Sequence, residues 1–313
     1  MPKRLTVVLM SLLVPLFFFF GFLWTTYSEQ SSSSFDNRAH VFSYLFASST
    51  LYERANRVSE GIQRTGSLSG IVAHHLLIAD KIVQLFASLG TGREKVIVIL
   101  SPNHFSLGRS SIQMTDGTWI TPFGDVEVDT ELLAKFLERD SVFSYEPETF
   151  EREHGVSAIV PFVKYWFPQA RILPIVIHDK ATGDQVKMLA QTIQEIVPKA
   201  VVVASMDMSH QKPEDIQLLH DEITIKAIEN GLCEEECSLD VDANRVLETL
   251  FEINRLRATQ AWTLTHHGSS LTMGATTDWH QNTSHILGYF QTAKDASIFE
   301  KVFHAFVLLW KKE

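Results

Sequence analysis

The sequence predicts an α/β fold: a single domain with a mostly buried central sheet flanked by helices, plus an N-terminal membrane helix. Three observations carry this. Short β-branched runs alternate with helical patterns along most of the chain. Of 313 residues, 45% are hydrophobic and 21 are Phe, enough for a core of ordinary globular size without disulfides or structural metals. An uncharged stretch from Leu5 to Trp24 follows Lys3 and Arg4, and about twenty apolar residues suffice to span a bilayer as a helix.

Residues 1–27 are expected to form a signal-anchor, because Trp24–Ser28 offers no Ala-x-Ala-like cleavage site. The positive-inside tendency then leaves Lys3 and Arg4 in the cytoplasm and the domain outside it, on a single-pass membrane protein, or secreted if the segment is cleaved. Residues 28–39, with four consecutive serines, read as a linker. The domain proper is expected over 40–296. Within it, strands fall at Ser69–Ala73, Val96–Leu100, Ile172–Ile177 and Ala200–Ala204. Helical patterns follow at Leu76–Leu89, Asp184–Val197 and Asp215–Asn230. Asp116-Gly117 reads as the turn of a hairpin between Ile112 and Thr130. In 297–313, Ile298, Phe299, Val302, Phe303, Phe306, Leu309 and Trp310 share one face of an amphipathic helix, which docks on the domain or touches lipid.

Charge and cysteine content exclude several function classes. Lys and Arg total 27 against 37 Asp and Glu, with no dense basic run after the first residues, so nucleic acid is not an expected partner. Cys233 and Cys237 flank three glutamates, which is neither a zinc ribbon nor a disulfide framework.

The histidines matter through their positions. His74 and His75 follow the run Gly70–Ala73, His104 ends Ser101-Pro102-Asn103-His104, His210 ends Ser205-Met206-Asp207-Met208-Ser209-His210, and His266-His267-Gly268 follows Ala261–Leu264. Sites in open α/β sheets gather beyond the carboxyl ends of strands, so these separate positions can meet in one crevice. Imidazole is a common ligand for iron, copper and zinc, and a catalytic metal needs about three protein ligands and an open position. His74, His104 and His267 supply three. Asp207, three residues before His210, orients that imidazole as proton acceptor or donor, or caps the following helix. Glu153 and His154 precede the helical run Ala158–Trp166; they reach the same crevice or serve as a helix-start acid and its neighbour. His75, Asn103, Glu153, His154 and His266 are the expected pocket residues.

Taken in order, Gly70–His74, Ser101–His104, Glu153-His154 and Ser205–His210 resemble the Memo family, which includes bacterial AmmeMemoRadiSam system protein B. The resemblance covers about residues 60 to 292. It implies an α/β fold like that of class III extradiol dioxygenases, with a non-haem iron site at the strand ends. By position, His74 and His104 match metal-binding histidines, His210 matches an acid/base histidine and Asp207 its acidic companion. The third family ligand is commonly a cysteine before glycine, and here His267 precedes Gly268. His75 and Ser157 also depart from the family pattern.

Three functions follow as expectations. One is a metal-dependent oxidoreductase, with iron or copper held by His74, His104 and His267 and a proton moved by His210, acting on a small substrate. Another is metal-assisted hydrolysis, in which zinc lowers the pKa of bound water to about 7. The third is a non-catalytic module that binds metal or peptide.

Overall fold

Four largely apolar strands set the frame, because each is buried on both faces over nearly its whole length and must be covered by helices on either side. The computed structural model describes residues 40–44, 48–59, 61–231 and 238–292. In chain order its strands are β1 (Val41–Ser43), β2 (Ser69–Val72), β3 (Val96–Pro102), β4 (Ile112–Met114), β5 (Thr118–Ile120), β6 (Val126–Glu127), β7 (Phe143–Tyr145), β8 (Arg171–Ile177), β9 (Val201–Ser205), β10 (Ala261–Ser269) and β11 (Ser284–Gln291). The helices are α1 (Ser49–Arg57), α2 (Ala79–Ser88), α3 (Thr130–Arg139), α4 (Pro147–Phe150), α5 (His154–Ser157), α6 (Val160–Trp166), α7 (Gly183–Ile196), α8 (Glu214–Asn230) and α9 (Asn244–Arg257).

The main sheet has eight strands in the order β10-β11-β2-β9-β3-β8-β4-β7. Its centre, β2-β9-β3-β8, is parallel. β11 joins β2 antiparallel, and β10 joins β11 antiparallel with a register shift between Leu264 and His266. Local signals fix the helix ends. Thr182 and Gln185 form a capping box at the start of α7. Gly231 closes α8 in the left-handed region, which a glycine enters without the Cβ penalty.

A smaller sheet, β1-β5-β6, carries the part of the sequence expected to be a hairpin. The expected turn at Asp116-Gly117 does not form: residues 115–117 run from β4 to β5 without a turn or bend, and β4 and β5 are not partners. β4 is buried throughout and enters the main sheet between β8 and β7, whereas β5 pairs with β1 and β6. The divergence comes from Trp119, which is fully buried, lies against Phe42 at a centroid distance of 4.6 Å and donates its indole N–H to Ser157 Oγ at 3.1 Å. Gly117 leaves room for the Phe42 ring, which a Cβ there would overlap.

The expectation of a membrane helix is corrected. No helix among the described residues is long and apolar enough to cross a membrane. The longest, α8, has 17 residues and carries Glu214, Asp215, Asp221, Glu222, Lys226 and Glu229, against a requirement of about 20 mainly apolar ones. Residues 1–27, where the signal-anchor was expected, lie outside the described residues, as do 28–39, 297–313 and the Cys233/Cys237 pair. The single-pass, membrane-partnered placement is therefore withdrawn, and the fold is a mixed α/β domain with a central sheet flanked by helices.

Because Trp119 fills the junction between the small sheet and the α5 segment, Trp119→Ala should cost about 3–5 kcal/mol of unfolding free energy in urea titration. A loss below about 1 kcal/mol would mean that the indole is not a packing element of the core.

Candidate metal centre

β2, β9 and β3 are adjacent and parallel, so the loops leaving their carboxyl ends emerge side by side at the strand spacing of about 4.8 Å. These loops carry His74, Asp207 and His104. Glu153 and His154 arrive at the start of α5, and Asp242 arrives from the segment before α9. His74, His104 and His154 bring ring nitrogens within 4.8 Å of one another, and His74, Asp207 and Asp242 form a second such group.

The hydrogen bonds behind the two inner histidines decide which nitrogen faces the centre. Ser205 Oγ donates its proton to Gly155 O at 2.5 Å, so towards His74 Nδ1, 3.2 Å away, it acts as acceptor. Nδ1 of His74 therefore carries a hydrogen. Its Nε2 then points, 3.3 and 3.4 Å away, at Oδ2 of Asp242 and Oδ2 of Asp207. His104 repeats the arrangement. Its Nδ1 donates to Glu153 Oε1 at 2.6 Å, and its Nε2 lies 3.3 Å from the same Asp242 Oδ2. A neutral ring would aim a lone pair at a carboxylate in both cases, which is repulsive. Each Nε2 needs a proton or a shared cation.

The carboxylates are held as firmly as the rings. Asp242 accepts from the Asp207 N–H at 3.1 Å on both oxygens, while its own N–H donates to Asp207 O. Glu153 accepts from the His104 and Gly155 amides at 3.1 and 2.8 Å. A Cβ on Gly155 would collide with Ser101 Oγ. Asp207 Oδ1 is buried and has no hydrogen-bond partner among the described residues, an acceptor that a cation or its water would satisfy.

Electrostatics follow from this geometry. Burial opposes charge on His104, but hydrogen bonds to Asp242 and Glu153 outweigh it and raise its pKa to about 10. Burial likewise opposes charge on His74, and Asp207 with Asp242 reverse the sign, raising it. Asp242 is lowered: burial acts against its charge, and hydrogen bonds from His104 and His74 win. His154 goes the other way, down to about 4, through burial and then repulsion by His104 and His74. Its ring stacks on His104 at 3.9 Å between centroids and stays neutral.

The remaining expected residues divide. His267 is not brought to this group. β11 lies between β10 and β2, and the His267 ring donates Nε2–H to Asp221 Oδ2 at 2.8 Å on the α8 face of the sheet. His266 projects to the other face, with Nε2 buried and unpartnered among the described residues. His75 meets His285, Nδ1 to Nε2 at 2.9 Å, beside the cluster rather than in it. Asn103 braces its own loop through Leu107 and Gln113. His210 is exposed and forms a bridge with Thr283.

Sequence reasoning missed Asp242, Ser205 and Asp221. Asp242 follows no strand, and an acid two residues before a helix reads as an ordinary helix-start residue. Asp221 is fully buried in α8 and accepts from Ser209 at 3.0 Å, Ser284 at 2.7 Å, His267 and Gln217. It thereby fixes the loop that ends in His210. Its signal is a polar position recurring on one helix face, Gln217, Asp221 and Thr224.

These features define a class: an α/β domain with a histidine–carboxylate cluster, at the ends of parallel strands, whose donors fit a metal ion. A family model described as Memo-like protein matches residues 76–272, more than half of the chain, which therefore belongs to the Memo family. His74 lies two residues before the matched stretch. A MEMO1 family protein of Caldivirga maquilingensis is 36% identical over 170 residues, covering 52% of this chain and 60% of that protein. One of Pyrobaculum aerophilum is 32% identical over 185 residues, covering 56% and 66%. The matches thus span less than two thirds of these relatives. Among solved structures, the uncharacterized protein JW3007 from Escherichia coli K12 aligns with 69% of this chain and 98% of its own, at 11% identity and a TM-score of 0.47.

The paired imidazolium–carboxylate contacts give a signed pH dependence. In the metal-free protein, the stabilisation from His104 should be full below its ordinary pKa of 6.5 and lost as pH rises through about 10. A divalent metal would displace that proton. Calorimetry at pH 7 in buffers of different ionisation enthalpy should therefore show release of at least about one proton per metal bound. Binding without proton release would show that His104 is not displaced.

Proposed function

We propose that this Memo-family domain holds a divalent metal through His74, His104 and Asp242 and acts as a non-haem iron oxidoreductase on a small substrate. The observation that supports it is Asp242 Oδ2, 3.3 Å from Nε2 of both His74 and His104. Two imidazoles and one carboxylate with other positions open are the donor set of non-haem iron(II) oxygenases. When bound, the ion supplies the Lewis-acid and redox centre.

The chain's own residues orient and protect that donor set. Glu153 and Ser205 fix the ring orientation and tautomer of His104 and His74, as carboxylate and hydroxyl partners do behind metal-bound imidazoles. The Asp207 amide holds the Asp242 carboxylate in place. His210, exposed on the loop secured by Asp221, is assigned the role of accepting or returning the substrate proton at its ring nitrogen. His154 supports a second reading. Neutral and stacked on His104, it is placed to complete a closed nitrogen-rich set, which suits a non-catalytic module that retains metal.

Metal analysis of alanine variants with oxygen-uptake measurements separates these readings. Asp242→Ala should lower iron affinity about a hundredfold or more, beyond the loss usual for residues behind the ligands, whereas His267→Ala should leave metal content near normal. His210→Ala should keep the metal and lower turnover roughly a hundredfold. Retention of metal in Asp242→Ala would overturn the ligand set. Stoichiometric zinc without oxygen uptake would overturn the oxidoreductase reading.

A further inference from the structure

Beside the His74 cluster lies a second group of imidazoles that its chemistry does not use. His75, His266 and His285 meet on the face of the sheet covered by α2, which packs against β2, β10 and β11. Ser284 and His267 turn to α8, where both bond to Asp221. Their neighbours His285 and His266 therefore point to the opposite face, because side chains alternate along a strand. His285 is fully buried, and its cross-strand partner on β10 is Gly268, two residues from His266.

That glycine makes the space. With no side chain opposite His285, the His266 ring leans over Gly268: a Cβ there would stand 3.4 Å from both Cε1 and Nε2 of His266. Directly opposed Cβ atoms of an antiparallel pair are about 4.5–5.5 Å apart, so His266 Nε2 comes within reach of the His285 ring. Nε2 of His285 is turned to His75, 2.9 Å from its Nδ1. The other nitrogen of that ring, Nδ1, then points away from β2 and towards β10, where His266 stands. His285 Nδ1 and His266 Nε2 are both buried, and neither has a hydrogen-bond partner among the described residues. Two orphaned polar atoms on one face call for a shared ligand.

The rings are in the form that metals take. No carboxylate is ion-paired with His75, His266 or His285 among the described residues. Burial pushes His285 down to about 3 and lowers His266, so both are neutral at pH 7. When His285 donates Nε2–H to His75, its Nδ1 is a bare lone pair. Metal-bound imidazoles are oriented in this way, the outer nitrogen donating to a fixed partner. Neutral imidazoles without carboxylates suit zinc, copper or nickel rather than magnesium or calcium.

We propose that His285 Nδ1 and His266 Nε2 bind a second transition-metal ion over Gly268, with His75 orienting His285 and water filling the remaining positions. The site shares no ligand with His74, His104 or Asp242. With two protein ligands it exchanges its ion more readily than a closed four-ligand site.

Zinc binding to the full-length chain tests this. Equilibrium dialysis at micromolar free zinc should give one ion fewer per chain for His266→Ala than for the parent, whereas Asp242→Ala should keep the ion over Gly268. His285→Gln, which preserves most of the ring's volume, should lower the affinity for that ion at least about tenfold. Anomalous diffraction at the zinc edge locates the ion without any substitution, and a peak about 2.0–2.1 Å from both His285 Nδ1 and His266 Nε2 is expected. An ordered water in that place would overturn the proposal, as would an equal zinc count in the parent and His266→Ala, or zinc found at the His74 cluster alone.

Discussion

The site depends on one constraint: two imidazole rings have their outer nitrogens already committed, so their inner nitrogens must share whatever lies beside the Asp242 carboxylate. Ser205 accepts from His74 because its own proton goes to Gly155 O, and Glu153 accepts from His104 at 2.6 Å. Neither ring can present an N–H to Asp242 without becoming charged. The cluster is thus a candidate cation site, its inner nitrogens suited to protons or to a metal ion.

The surrounding fold serves that constraint. Parallel order β2-β9-β3 brings three loops together, and the reciprocal backbone bonds of Asp207 and Asp242 tie the β9 loop to the segment before α9. Gly155 permits the close approach of Ser101 and Glu153. On the far side, Asp221 gathers Ser209, Ser284 and His267 into one buried network. A fully buried carboxylate is tolerated there because its oxygens are satisfied by four donors.

Much of this was legible in the sequence, and the rest for physical reasons was not. β3, β8 and β9 announced themselves through runs rich in Val and Ile, and His74 and His104 through their places just past strands. The resemblance to the Memo family was likewise readable from ordered motifs. His267 was expected in the cluster because β10 ends at the same edge as β2, so a rule about strand ends includes it. Strand order, which sequence does not print, puts β11 between them and turns the ring towards α8. Asp242 was invisible for the opposite reason, since it follows no strand. The hairpin at Asp116-Gly117 failed because a local turn signal yields when each flanking strand finds a different partner: residues 115–117 pass from β4 to β5 without a turn. There, the burial of Trp119 decided the outcome.

His154 marks the line between an open and a closed centre, and ligand counting resolves it. X-ray absorption at the edge of the bound metal, on anaerobically loaded protein, measures the nitrogen and oxygen neighbours directly. A centre held by His74, His104 and Asp242 should give two imidazoles in the scattering, with further oxygen ligands at about 2.0–2.2 Å, and loss of one oxygen in Asp242→Asn with the imidazole count unchanged. Three or more imidazoles, or a spectrum indifferent to Asp242, would contradict it.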